Sequence, residues 1–230
     1  MNRRRLLSRL GVSFLASLAG CTSSSTKNTS TNSSPSTETT GNTSQSTETS
    51  SVIIEPDELP GEVRPTTDPQ SRTEPLECQN EDWTRYSTEF SEDNLVMGDI
   101  YKDESPVMSL RVNDTEFTRD DECEITLTNV SDDFVRFSPM EYNLVVLTEV
   151  GWQDIRVLID DDPEYPEELI AMDSTGTRSW TFPLNEDELA FREPYDEFWD
   201  VCPSLPTGRY LFVLYGEGTS PIGVSFDLIK

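Results

Sequence analysis

Carboxylates are the one reactive group this chain carries in quantity. Its 230 residues hold 44 Asp and Glu against 17 Lys and Arg, with four Cys and no His, for a formal charge of −27. Paired carboxylates can cleave glycosides, one as proton donor and the other as base or nucleophile. Acids occur in nearly every loop, so spacing singles out no such pair, and the chain is read as non-enzymatic, with a carboxylate hydrolase the least favoured alternative. The densest run, Asp160, Asp161 and Asp162 with Glu164, Glu167 and Glu168 behind it, offers the hard oxygen ligands that calcium takes. It lacks the Gly and the alternating ligand positions of an EF-hand loop, and no cofactor is expected. The missing His removes imidazole metal sites and Ser-His or Cys-His nucleophiles. The negative charge repels phosphate and excludes nucleic acid as a partner. Because the acids are spread along the chain and Lys is confined to Lys27, Lys102 and Lys230, the charge reads as adaptation to molar salt, where a Debye length of about 3 Å screens it.

The elements that must present any such groups begin with an address. Arg3, Arg4, Arg5 and Arg9 flank a short apolar run, Leu10-Gly-Val-Ser-Phe-Leu-Ala-Ser-Leu-Ala19, too short and too rich in Ser and Gly to span a membrane. Residues 1–20 are therefore read as an export signal. Arg3-Arg4-Arg5-Leu6-Leu7 resembles a twin-arginine signal. Leu18-Ala19-Gly20-Cys21 resembles a lipobox, which implies that Cys21 becomes the lipidated N-terminus and that the membrane is a partner. The expected location is the outer face of the cytoplasmic membrane.

Residues 21–77 read as a stalk. From 22 to 50, 20 of 29 residues are Ser or Thr and none is apolar, so the segment cannot offset its ordering entropy and is expected to be disordered. Up to residue 77 an acidic linker carrying Pro56, Pro60, Pro65, Pro69 and Pro75 continues it in a stiffer, more extended form. Asn28, Asn32 and Asn42 in the stalk, with Asn113 and Asn129 beyond it, head N-x-S/T sequons and are glycosylation candidates.

Residues 78–230 suit one domain with its own core. Their apolar pattern has period two: Cys123, Ile125 and Leu127 alternate with Glu124, Thr126 and Thr128, as Trp180, Phe182 and Leu184 do with Ser179, Thr181 and Pro183. Ile222, Val224, Phe226 and Leu228 repeat the pattern. No long helical stripe interrupts it. The fold class expected is all-β, an antiparallel sandwich of seven to eight strands.

The order of landmarks carries a resemblance. Ile125-Thr-Leu-Thr-Asn-Val-Ser-Asp132, Tyr142-Asn-Leu-Val-Val-Leu, Gly151-Trp152, Thr177-Arg-Ser-Trp180-Thr-Phe-Pro-Leu184 and Leu205-Pro-Thr-Gly208-Arg-Tyr210 resemble the immunoglobulin-like domains of prokaryotic surface lipoproteins. They are similar in the same order to the BsuPI-type proteinase-inhibitor family. With the acidic composition, the export signal and the lipobox, the chain resembles exported lipoproteins of halophilic archaea. Leu205-Pro-Thr-Gly208-Arg-Tyr210 also looks like a tyrosine corner, a structural role in which Tyr210 ties back to nearby backbone. Asp173-Ser-Thr-Gly176 and the long segment 185–203 depart from the family pattern.

With Cys21 lipidated, three Cys remain. Cys123 lies on the apolar face of a core strand and is expected to stay reduced. Cys78 opens the domain and Cys202 precedes the tyrosine corner, so these two are expected to pair. Phe191, Tyr195, Phe198 and Trp199 lie among acids between two strands, where they could form a sugar or protein contact surface; the alternative is that they cover the open edge of the sandwich. The functional expectation is a non-catalytic, lipid-anchored surface protein whose domain binds an envelope protein or polysaccharide. Proteinase inhibition, implied by the resemblance alone, is the second.

Overall fold

The computed structural model describes residues 54–69, 72–159, 169–190, 199–216 and 220–229. In chain order the strands are β1 (Thr84–Arg85), β2 (Val96–Met97), β3 (Asp99–Lys102), β4 (Ser105–Val112), β5 (Glu116–Phe117), β6 (Glu122–Asn129), β7 (Val135–Phe137), β8 (Tyr142–Thr148), β9 (Gly151–Asp154), β10 (Arg156–Leu158), β11 (Ile170–Met172), β12 (Thr177–Pro183), β13 (Trp199–Val201), β14 (Gly208–Leu214) and β15 (Ile222–Leu228). A short helix, α1 (Glu186–Ala190), follows β12, and a 3-10 turn covers Pro56–Glu58. Asn185 caps α1, its side-chain oxygen accepting from the Glu188 amide at 2.9 Å, and the acids of the first turn suit the positive end of the helix.

Six strands of seven or eight residues form the body of an all-β sandwich. One sheet runs β12-β6-β4-β3 and the other β2-β15-β14-β8-β9, with β5 also pairing β15. Their inward faces meet in an aromatic cluster: Trp180 lies 5.3 Å and Phe182 5.7 Å from Phe212, and Tyr142 is 5.8 Å from Phe182, ring centre to ring centre. Side chains of this size contribute roughly 1.5–3 kcal/mol each when fully buried, so the cluster anchors the packing of one sheet on the other. The short strands β7 and β11 form a two-stranded ribbon, and β1, β10 and β13 a small third sheet.

Alternation predicts one polar face per strand, but the second sheet is buried on both. Every residue of β8 is buried, and Val145, Leu211 and Val213 on its outer side form a second apolar cluster under Phe90, Leu95, Met97 and Trp152. The boundary expected at Cys78 is corrected by the same layer. Residues 54–77, read from sequence as linker, dock on the sandwich at several separate points. Glu62 exchanges two backbone hydrogen bonds with Val112, Val63 accepts from the Ser225 amide, and Thr73 lies between Leu147 and Glu149. Pro56, Pro65 and Leu76 are buried. The prolines that suggested a stiff linker instead pre-set an extended course that needs few amide donors of its own.

This arm also closes a sheet edge. Along β15, the backbone groups beyond the pairing with β14 are met in turn by β2, by Val63 of the arm and by β5. An open edge strand is a template for unwanted pairing, and three separate segments cover this one.

Candidate functional site

The outer face of the first sheet presents exposed polar side chains, among them Glu124, Thr177, Ser179 and Thr181. Register places Thr177 opposite Thr128, Ser179 opposite Thr126 and Thr181 opposite Glu124. The Thr126 and Ser179 hydroxyls are 2.8 Å apart. The arm runs beside this face and turns a flat sheet into a groove of about 310 Å³, lined by Leu59, Pro60, Val112, Glu124, Thr128 and Thr177 among others. Gly61 makes the approach possible: its φ is +99°, and a Cβ there would stand 2.7 Å from the Val112 carbonyl oxygen.

The wall is fixed by a buried cation. Arg111 binds both oxygens of Asp99, at 3.0 and 3.3 Å, and its two terminal nitrogens also donate to the carbonyls of Pro56, Gly98 and Leu110. At the groove rim, Asn113 clamps the start of β6, accepting from the Glu124 amide at 2.9 Å and donating to the Glu122 carbonyl at 3.3 Å. Arg111 and Asn113 thus spend their polar groups on structure, whereas Glu124 and Thr177 are exposed. Such a surface can hydrogen-bond a ligand; it holds no nucleophile with an adjacent base.

A second charged centre is fully internal. Arg156 binds both carboxylate oxygens of Asp154, at 2.9 and 2.8 Å, and donates to the Tyr142 carbonyl. Its guanidinium lies over the rings of Tyr86, Tyr142 and Trp199, at 4.3, 4.6 and 4.7 Å. Burial alone would lower its pKa, but Asp154 and the two tyrosines hold it upward, so it stays a cation. Arg85, whose pKa burial lowers against the opposing pull of Asp154, donates to the carbonyls of Asp154 and Leu76 and approaches the Cys78 sulfur at 3.1 Å. This cluster fastens β10, β13 and the arm together, and its charges face one another rather than solvent.

The residues singled out from sequence fall in three groups. Cys21, Asn28, Asn32, Asn42, Asp160, Asp161, Asp162, Phe191, Tyr195 and Phe198 lie outside the described residues. Cys78 and Cys202 form a disulfide, with Cys123 free and buried. The Tyr210 hydroxyl donates to the Pro206 carbonyl at 2.7 Å, and burial pushes its pKa up. Asn113 is exposed at the groove rim.

Two site assignments are corrected. Trp199, grouped with the contact loop, is 7% exposed and packs under Arg156. Asn129, a sequon asparagine, is fully buried, and its Nδ2 donates to the carbonyls of Asp133 and Met172 at 2.7 and 3.0 Å. A nitrogen so engaged has no room for a glycan in the folded domain. The arm and its arginines were missed. The signal was present, since Arg111 and Arg209 interrupt otherwise apolar strands, where a guanidinium needs an internal partner.

No family model matches the chain, and no curated protein matches it.

Proposed function

We propose that this chain is a non-catalytic surface lipoprotein, held to the outer face of the membrane by lipidated Cys21, that presents its β-sandwich, of immunoglobulin-like type, for binding envelope components. The observation that carries the reading is the placement of Cys21 directly after a signal with a short apolar core, followed by a Ser/Thr-rich spacer and then a β-sandwich.

The test is detergent-phase partition and surface protease digestion of cells expressing the chain or its Cys21→Ser variant, in high salt. The wild type enters the detergent phase and is cut on intact cells, while the variant is released to the medium. Equal partition of the two would overturn the anchoring. Envelope extract passed over immobilised full-length protein in molar NaCl tests the binding role, which falls if neither protein nor polysaccharide is retained.

A further inference from the structure

Hydroxyls line the groove between the arm and the first sheet. In a molecule of charge −27, Thr177 and Ser179 on β12 and Thr126 on β6 form a hydroxyl-bearing surface, with Thr128 buried opposite Thr177 and the exposed carboxylates of Glu122 and Glu124 at one end. Leu59 and Pro60 supply an apolar flank at a fixed distance, because Arg111 and the Glu62–Val112 pairing hold the arm in place.

We infer that this groove binds a segment of neutral polysaccharide, which names the ligand class within the surface-binding reading and rests on it. A sugar ring offers hydroxyls that both donate and accept, matching Thr126, Thr177 and Ser179, and a face of C–H groups that can lie on Pro60 and Leu59. The Glu124 carboxylate can accept from two neighbouring hydroxyls at once. Competing ligands fit less well. An anionic polymer meets Glu124 and the field of the whole chain, while the Arg111 donors that would attract it are committed to Asp99 and to backbone carbonyls. An apolar peptide would bury the exposed Thr177 hydroxyl and Glu124 carboxylate without giving either a hydrogen-bond partner. A cationic peptide finds carboxylates in most loops of the chain and has no reason to select this groove over them.

The full-length protein in molar NaCl is titrated with maltohexaose, cellohexaose and, as the anionic control, hexagalacturonate, followed by calorimetry and saturation-transfer NMR. At least one neutral hexasaccharide binds saturably and hexagalacturonate does not. Thr177→Trp fills the groove, Glu124→Ala removes the acceptor, and each weakens binding about tenfold or more, as expected for loss of a charge-assisted hydrogen bond. Lys102→Ala, on the far edge of the sheet, leaves affinity unchanged, and cooperative unfolding of every variant confirms its fold. Absence of binding by both neutral sugars, equal binding of hexagalacturonate, or unchanged affinity in Thr177→Trp and Glu124→Ala would each overturn the assignment. So would a wild-type dimer that Thr177→Trp dissolves, since the face would then belong to a second copy. Retention of other envelope material with no hexasaccharide binding sinks this inference and leaves the surface-binding reading standing.

Discussion

The guanidinium of Arg209 reaches the carbonyl oxygen of Thr67, 142 residues away in sequence, at 2.8 Å. The same group binds Asp227, its register partner on β15, with Nη2 3.0 Å from Oδ2. Arg111 does the same for Pro56 and Arg85 for Leu76, so three guanidinium groups pin the arm at three points. Arg209→Ala leaves Asp227 without its partner and Thr67 without its donor, and is expected to cost about 3 kcal/mol, the lower range for breaking a largely buried pair. Chemical denaturation measures the loss, and amide exchange of Ser225, which donates to Val63, reports whether the arm has come free. Arg209→Lys recovers only part of the stability, because an ammonium cannot bind the carboxylate through two parallel bonds.

Starting the chain at Cys78 rather than at Ile54 uncovers the middle of β15, where Ser225 meets Val63, and removes the buried side chains of Pro56, Pro65 and Leu76. The shortened protein should unfold at lower denaturant and self-associate, whereas the longer form stays monomeric. Sedimentation velocity in molar NaCl distinguishes them. Equal behaviour of the two would return residues 54–77 to the role of a linker.

Asn129 tests the difference between a glycan site and an internal clamp. Its amide donates to two carbonyls, and its oxygen accepts from the Ser131 amide and hydroxyl. Asn129→Ala is expected to cost about 1–3 kcal/mol for the buried groups left unpaired, in protein made with or without glycosylation. Asn113→Ala, at an exposed position, costs less. Thermal melts of both variants decide the order.

Glu186 gives a pH dependence with a defined sign. Its folded pKa is lowered below the ordinary 4.5: burial acts upward, but the bonds from its own amide, Arg119 and Leu205 prevail. A depressed carboxyl contributes stability above its unfolded pKa and loses that contribution as pH falls through the folded value. The wild type should therefore be more stable than Glu186→Gln at pH 7, with the gap closing as pH drops below about 4.5. Melts in molar NaCl, where long-range repulsion among the acids is screened, isolate this term. A gap that does not change with pH would refute it.

The two kinds of cysteine should separate chemically. Replacing Cys78 and Cys202 by Ser removes a constraint spanning 124 residues and is expected to cost roughly 4–5 kcal/mol in the chain-entropy account. Cys123 is fully buried, and burial pushes its thiol pKa up, so iodoacetamide should label it only in denaturant. Labelling under native conditions would show that β6 opens.

What the sequence determined by itself is local and compositional. Period two in residues 123–128 and 179–184 is enough to specify strands β6 and β12, because one buried face admits only one register. The Tyr210 landmark and the pairing of Cys78 with Cys202 were legible because each depends on residue type near a strand end. The absence of His and the charge of −27 likewise bound the chemistry without any coordinates. What only the tertiary structure decided is which polar residues are inside. Asn129 and Asn113 both head N-x-S/T motifs, yet one is bonded to the Met172 and Asp133 carbonyls inside the fold and the other lies at a groove rim. Pro56, Pro65 and Leu76 look like linker until Arg111 and Arg209, 55 and 142 positions from the Pro56 and Thr67 carbonyls they bind, and Arg85, beside Leu76, supply donors for the backbone of this segment. Trp199 reads as a contact residue until Arg156 needs its ring. In each case a deciding partner lies far along the chain, as with Asn129 and Met172 at a separation of 43, and no local pattern encodes where such partners will meet.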